Sequence, residues 1–246
     1  MPRPRLLLVS EFTELQWAIK PRLEEWAEVL SYDAPGVGDE PLPPGVSHIS
    51  ELTRGHLVDH GLRKVEAAGW DRFLVLGDGW GVADAVGIAF RREDAVAGLA
   101  LGHASLGYGR EGERAPINAE VYDAFTQLVK QDAPSFVRYG IAQLTKGGVD
   151  ADHAQRIVER IPDDFMLDGW VALTAEAPFK EELLGLACPL LLAKHEGCLV
   201  STDEGFADAV AALPHAQVAA FDDPPSASAE FADAVRAFCK QHLDIG

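Results

Sequence analysis

Short apolar runs alternate along the chain with longer segments in which apolar residues recur at helical spacing. Four runs are apolar at almost every position, and they lie at residues 6–9, 73–76, 96–101 and 189–193. Continuous runs of this length are typical of parallel strands that are buried on both faces. A weak strand is predicted at residues 30–32 and a further strand at residues 217–221.

The segments between these runs predict helices. Residues 49–68 have one apolar face and begin near Ser50, which suits an N-cap. Further helices are predicted at residues 17–30, 82–90, 202–213 and 229–242. Strands that alternate with helices in this way indicate an α/β protein with a mostly parallel, doubly wound sheet.

The strand signal is absent between residues 105 and 180. Amphipathic helices are predicted there instead, at residues 119–131, 135–144, 152–160 and 165–175, with Gly and Pro between them. We interpret residues 105–180 as a helical cap insertion. Residues 1–104 and 181–246 then form the α/β core of a single domain.

Composition narrows the range of partners. The formal net charge is −18, from 39 acidic and 21 basic residues. Such a surface repels phosphate backbones and anionic lipids, so we expect neither a nucleic acid nor a membrane as a partner. The three cysteines match no zinc pattern, and no motif calls for a cofactor. No signal peptide or span of about 20 apolar residues is present, so we expect a cytoplasmic protein.

Several motifs together resemble the α/β-hydrolase fold superfamily. Asp33-x-Pro35-Gly36-x-Gly38 is similar to its D-x-P-G-x-G loop, and Cys188-Pro189 is similar to the start of its acid-bearing strand. Residues 77–81, Gly-Asp-Gly-Trp-Gly, lie where the family has its nucleophile elbow, G-x-nucleophile-x-G. The Trp makes this elbow most similar to the epoxide hydrolase and haloalkane dehalogenase branch. The resemblance covers nearly the whole chain and implies a nucleophile, an acid and a histidine at the carboxyl edge of the sheet.

The residues at those positions do not suit that chemistry. Gly79 stands at the centre of the elbow and has no side chain to attack a substrate. Asp78 would serve as nucleophile only in a register that puts bulky residues beside it, and we expect it to point along the start of the next helix. Cys198 occupies the acid position, and a neutral thiol orients an imidazole poorly. Glu196 would replace it only if the loop bends differently.

No histidine occurs at the third position. The loop after residues 217–221 has Asp222 where the family has its histidine, and the nearest histidines are His215 and His242, which we interpret as surface residues. The first loop also departs from the family. Ser10-Glu11-Phe12 replaces a His-Gly stretch whose N–H groups help to form an oxyanion hole, and Glu11 has the wrong charge there unless it points outward.

The remaining candidates describe a retained pocket. His103 follows the strand at residues 96–101, at the edge where such sheets bind ligands, and either acts as a base or is a satisfied strand-end histidine. Glu11, Phe12, Gly79 and Trp80 complete the predicted ligand-binding set. Further aromatic residues that could line it are Tyr108, Phe136, Tyr139 and Trp170.

Three functions remain open. The first is a non-hydrolytic protein that binds a small apolar molecule. The second is an enzyme of the lyase, cyclase or isomerase type, or a hydrolase with relocated residues, in which His103 or Asp78 is the acid or base. The third is a scaffold that binds a partner protein through the cap. Neither the ligand nor the oligomeric state follows from the sequence.

Overall fold

A six-stranded parallel sheet forms the centre of the protein. The computed structural model describes residues 3–10, 12–107, 119–132, 149–162, 179–195 and 202–242. The sheet has the order β2-β1-β3-β4-β5-β6, and every neighbouring pair is parallel. The predicted α/β class and doubly wound sheet are confirmed. The strands are β1 Arg5–Val9, β2 Glu28–Ser31, β3 Phe73–Gly77, β4 Val96–Gly102, β5 Leu190–His195 and β6 Gln217–Phe221.

Helices connect the strands and continue into the middle of the chain. They are α1 Lys20–Glu24, α2 Arg54–Ala67, α3 Gly81–Arg91, α4 Ala119–Gln131, α5 Ala151–Arg160, α6 Lys180–Gly185, α7 Asp203–Ala212 and α8 Ala229–His242. Short 3₁₀ turns lie at Glu14–Gln16 and Ile49–Glu51.

Two predicted helices were too long. The segment 17–30 forms only α1, because β2 already begins at Glu28 beside β1. The segment 49–68 divides into a 3₁₀ turn and α2, and Thr53 rather than Ser50 is the N-cap of α2. Thr53 accepts a hydrogen bond from the His56 N–H, and His56 in turn bonds the Thr53 N–H, which completes a capping box.

Alternate side chains of the strands build two separate cores. Leu6 and Leu8 of β1 pack with Leu23 of α1 and with residues of α8 on one face. Leu7 and Val9 pack on the other face with α2, α3 and α6. Both faces of the sheet are therefore covered, which explains why the strands are apolar at successive positions.

Helix α5 connects the middle segment to the loops at the carboxyl edge of the sheet. Arg160 of α5 forms an ion pair with the buried Asp33 at 2.6 Å, and the His153 ring contacts the Leu15 carbonyl at 2.8 Å. Asp33 also accepts hydrogen bonds from the Thr13 hydroxyl and the Glu14 N–H. These contacts place α5 against the loop that follows β1. The predicted helices 135–144 and 165–175 lie outside the described residues, and the cap insertion stays a prediction.

None of the helices in the described part of the chain is both long and apolar enough to cross a membrane.

Candidate functional site

The turn after β3 has the backbone of a nucleophile elbow. Gly79 lies at its centre with φ 56°, a left-handed conformation that suits glycine. The Gly81 N–H donates to the Asp78 carbonyl at 3.0 Å, and the Val82 N–H donates to the Gly79 carbonyl at 3.2 Å. Helix α3 therefore begins within four residues of the end of β3.

The two outer glycines of this turn are required by close packing. A Cβ at Gly77 would lie 2.6 Å from Ala85 Cβ, and a Cβ at Gly81 would lie 2.6 Å from the Val9 carbonyl oxygen. Both separations are shorter than real contacts allow, so only glycine fits. The turn therefore retains the close strand–helix approach of an elbow, whereas its central position, Gly79, has no reactive side chain.

The loop after β1 already uses two of its backbone N–H donors internally. The Phe12 N–H donates to Gln16 Oε1 at 3.0 Å, and the Thr13 N–H donates to the same oxygen at 3.3 Å. This stretch is where the family resemblance places an oxyanion-binding N–H group. The amide oxygen of Gln16 thus accepts from both N–H groups. Glu11 lies outside the described residues.

The sequence predicted that Asp78 points along the start of α3, and this prediction is wrong. Its carboxylate instead extends across the edge of the sheet, where Oδ1 lies 2.8 Å from His103 Nδ1 and Oδ2 accepts the Ser226 N–H at 3.1 Å. Gly102 makes this possible, because a Cβ there would collide with the Asp78 carboxylate. The helix dipole is a weaker attraction than a charged partner and a backbone donor at these distances.

A second histidine completes a row of three side chains. His103 Nε2 lies 2.5 Å from His195 Nδ1, and the two rings meet edge to face. Asp78, His103 and His195 stand at the carboxyl ends of β3, β4 and β5, which are neighbours in the sheet. This edge is where parallel α/β sheets bind ligands. We call these three residues the edge row.

The sequence analysis identified two members of the edge row and missed His195. In the stretch that should hold the catalytic acid, only Cys198 and Glu196 were considered, and each was considered as that acid. The signal was available, because His195 ends the strand next to the one that precedes His103. Two histidines at adjacent parallel strand ends are expected to meet.

The electrostatics of the edge row favour an ionised carboxylate beside histidines. Burial alone would raise the pKa of Asp78, but the charge and hydrogen bond of His103 and the bonds from Ser226 outweigh burial and lower that pKa. Burial, reinforced by the charge of His103, lowers the pKa of His195 to about 4. His195 is therefore neutral at pH 7, and any positive charge in the row lies on His103, next to Asp78.

The other predicted site residues lie in different surroundings. Phe12 and Trp80 are both buried in the core on the α2–α3 face of the sheet. Asp222, at the position where the family has its histidine, is exposed, as is His215. His242 is partly buried and contacts Gln217 at 3.1 Å. The remaining predicted residues lie outside the described part of the chain: Glu196, Cys198, Tyr108, Phe136, Tyr139 and Trp170.

The geometry limits the chemistry available at the described edge. Gly79 supplies no nucleophile, and the described ranges contain no group of three or more His, Cys, Asp or Glu residues that could hold a metal ion. An aspartate that orients a histidine is instead an arrangement for moving a proton.

Comparison with known proteins supports the fold. No protein-family model matches the sequence, and no curated protein matches it. Solved structures do match. The enol-lactonase from Burkholderia xenovorans LB400 superposes with a TM-score of 0.76 at 18% identity, over 100% of this chain and 93% of the other. A bromoperoxidase from Bacillus anthracis gives a TM-score of 0.79 at 16% identity, over 98% and 92%.

A third match is a hydrolase from Oleispira antarctica, with a TM-score of 0.78 at 11% identity over 98% and 92% of the two chains. This chain therefore has the α/β-hydrolase fold. At these identities the likeness establishes the fold alone, and the activity must be argued from the residues at the site.

Proposed function

We propose that this protein is a non-hydrolytic member of the α/β-hydrolase fold that binds a small apolar molecule at the carboxyl edge of its sheet. One observation carries the proposal: the elbow keeps its backbone and its close packing, yet Gly79 stands at its centre. A hydrolase of this fold forms a covalent intermediate through that position, and a residue without a side chain cannot do so.

Two further features support the loss of hydrolysis. The Phe12 N–H is bonded to Gln16, so the first loop does not present this donor to an oxyanion. Asp222 takes the place of the histidine that would activate a nucleophile and is exposed. Hydrolysis in this fold needs a nucleophile, an oxyanion donor and a histidine, and each of the three has been lost independently. Binding of an apolar molecule needs none of them.

Ester hydrolysis tests the first half of the proposal. We expect purified protein to release p-nitrophenol from p-nitrophenyl acetate and butyrate at the buffer rate. Gly79→Ser is expected to do the same, because the added hydroxyl has no histidine in the loop after β6 to activate it. Turnover by the wild type that His103→Ala abolishes would overturn the proposal and indicate a relocated catalytic group.

Ligand binding tests the second half. Thermal unfolding is measured with 2-octanone, a neutral apolar ketone, as the probe. We expect the melting temperature to rise with probe concentration, since a ligand that binds only the native state stabilises it by mass action. His103→Ala, at the carboxyl edge, should reduce the rise. Phe90→Ala, which removes an aromatic ring that is 47% exposed, should leave it unchanged. Equal shifts in all three proteins would contradict binding at the edge.

The edge row favours a second candidate function, an enzyme that transfers a proton without forming a covalent intermediate. This candidate requires that His103 lie within the site and not face solvent. His103 is mostly buried, with 13% of its side chain exposed, and it lies against Asp78 next to Gly79. Such a site suits an isomerase- or lyase-type step on an apolar molecule.

A further inference from the structure

We propose that Asp78, His103 and His195 form a proton shuttle in which His195 Nε2 exchanges the proton and His103 holds the resulting charge. The inference rests on the second candidate function and deepens it, because it moves the reacting atom from His103 to a residue that the sequence did not identify. It is based on two contacts, 2.8 Å between Asp78 and His103 and 2.5 Å between His103 and His195.

The chemistry of the three groups assigns a donor and an acceptor to each contact. Ionised Asp78 has no proton and only accepts, so His103 donates Nδ1–H to it. His103 Nε2 then has a free electron pair and accepts Nδ1–H from His195. Three of the four ring nitrogens of the two histidines are thereby used. The atom of His195 that is left to exchange a proton is Nε2, which carries an electron pair in this state.

A proton that binds to His195 Nε2 leads to a positive charge on His103, next to the Asp78 carboxylate. When Nε2 of His195 takes a proton, its Nδ1 proton passes to His103 Nε2. At His195 one N–H bond forms and another breaks, whereas His103 keeps Nδ1–H and gains Nε2–H. His195 ends neutral in its other tautomer, and His103 ends as an imidazolium beside Asp78. The reverse sequence returns a proton from the same atom. One atom therefore serves as base and then as acid, with no net consumption of protons.

The surroundings favour this placement of the charge. Burial disfavours a cation on His195 itself, whose pKa is lowered to about 4. His103 has the Asp78 carboxylate on one side, and Ser226 N–H fixes the other carboxylate oxygen. Lys194, the charged neighbour of His195 on β5, is paired with Asp203 on α7.

The backbone conformation of His103 is independent evidence that the surroundings enforce the position of its ring. His103 is the non-glycine residue in the described chain with positive φ, at 60°. A non-glycine residue in this region is strained, and the conformation persists where the surroundings enforce it. Here the strain turns the ring between β3 and β5, where it can contact Asp78 and His195 together. A histidine that merely ended a strand would not need this conformation.

The chemistry of the shuttle defines a substrate class. A single neutral histidine, without a nucleophile beside it, removes protons only from groups of moderate acidity. A carbon between a carbonyl group and a carbon–carbon double bond, in a small uncharged molecule, fits this requirement. Its deprotonation gives a dienolate, and return of the proton to the far carbon of the former double bond would be an isomerisation in which both steps use His195 Nε2.

Nuclear magnetic resonance of ¹⁵N-histidine-labelled protein tests the shuttle without a substrate. Two-bond ¹H–¹⁵N spectra report which nitrogen of each ring carries a proton. As the pH is lowered, we expect His195 to remain neutral and change tautomer, while His103 becomes an imidazolium at the same midpoint. Asp78→Asn should lower that midpoint by at least about one pH unit, a tenfold loss of proton affinity. Asp233→Asn, on the exposed surface of α8, is the matched control and should not move it.

A single tautomer of His195 across the titration would overturn the shuttle, as would a midpoint that ignores Asp78→Asn. A separate assay addresses the candidate function. A base that removes the C3 proton of 5-nitrobenzisoxazole breaks its N–O bond and releases a coloured phenolate. We expect His195→Gln to lower this rate at least tenfold relative to wild type. A tautomer change without elimination would support the shuttle and count against the enzyme candidate. The failure of one can therefore be distinguished from the failure of the other.

Discussion

Two buried aspartates, Asp78 and Asp84, lie six residues apart and differ in their electrostatics. Asp78 is 8% exposed and Asp84 is 7% exposed. The pKa of Asp78 is lowered, because its histidine and backbone donors outweigh burial. Burial raises the pKa of Asp84 to about 7, and the charge of Arg54 offsets it only in part. Depth of burial is therefore not what separates a charged site from a neutral one.

The difference lies in what each region of the fold provides. The carboxyl edge of the sheet gathers side chains from three strands and a loop, so Asp78 meets partners at 2.8 Å and 3.1 Å. Asp84 lies on α3 within the layer that packs against α2. A helix interface supplies few donors, because its backbone N–H groups are already used. The edge thus maintains ionised groups, and the helix layer favours a protonated carboxyl.

Removing the charge of Asp78 should have the largest effect. Asp78→Asn leaves His103 without its carboxylate and weakens the bond to Ser226, and breaking a buried pair of this kind costs about 3 kcal/mol. Urea unfolding at pH 7 measures the loss of unfolding free energy. Asp233→Asn, whose carboxylate is 62% exposed and paired with Arg22, should change it by less than about 0.5 kcal/mol. Equal losses in the two variants would mean that the edge row is not a stabilising unit.

Displacing Asp78 without changing it should have the next largest effect. Gly102→Ala adds a Cβ that collides with the Asp78 carboxylate and with Pro225, so we expect a loss of about 2 kcal/mol. Gly55→Ala is the control, since its Cβ has ordinary space at 3.5 Å or more within α2, and it should stabilise by up to about 1 kcal/mol. Unfolding free energies of both variants decide the outcome. A neutral Gly102→Ala would contradict the packing that brings Asp78 to His103.

The sequence predicted the strands and the elbow of the site better than the directions of its side chains. The apolar runs predicted four strands well, because strands buried on two faces leave an unambiguous pattern. The elbow was also predictable, because its close packing requires glycine at both outer positions and the sequence has Gly77 and Gly81 there. The direction of Asp78 was not predictable, because it depends on Gly102 and Ser226, which are distant in sequence. His195 was missed because alignment to an expected acid obscured its position at a strand end.

Opposite pH effects should then separate the two regions. The folded pKa of Asp84 lies above its unfolded value, so its contribution to stability falls as the pH rises from about 4 to about 7. Asp84→Asn should therefore be more stable than wild type by about 1–2 kcal/mol at pH 8 and show no gain at pH 4. The folded pKa of His195 lies below its unfolded value, so its contribution is lost as the pH falls from about 6.5 to about 4.

In the wild type these two contributions oppose each other over the same range. His195→Gln should leave the Asp84 trend, with stability falling as the pH rises, and Asp84→Asn should leave the His195 trend. Melting temperatures of the three proteins between pH 4 and pH 8 provide the measurement. Parallel pH profiles for all three would show that neither group titrates as its surroundings require.

The smallest effect is expected at a third buried aspartate, which tests whether partners or their charges matter more. Asp33 is 4% exposed and resembles Asp78 in having several donors: the Thr13 hydroxyl, the Glu14 N–H and Arg160. Arg160→Gln removes the charged donor and leaves the two neutral ones. Because Arg160 is 33% exposed, solvent screens the lost attraction, and we expect a loss of about 1 kcal/mol by urea unfolding.

The position of Arg160 adds a second readout. Its backbone carbonyl also accepts the Gly38 N–H, and α5 contacts the loop after β1 through His153. Arg160→Gln should therefore speed proteolytic cleavage near α5 more than it lowers global stability, since local opening needs only these contacts to break. Glu159→Gln, an exposed position on the same helix that bonds Gln155, is the control. A loss near 3 kcal/mol would instead place Asp33 with Asp78, as a carboxylate that depends on a charged partner even at the rim of the sheet.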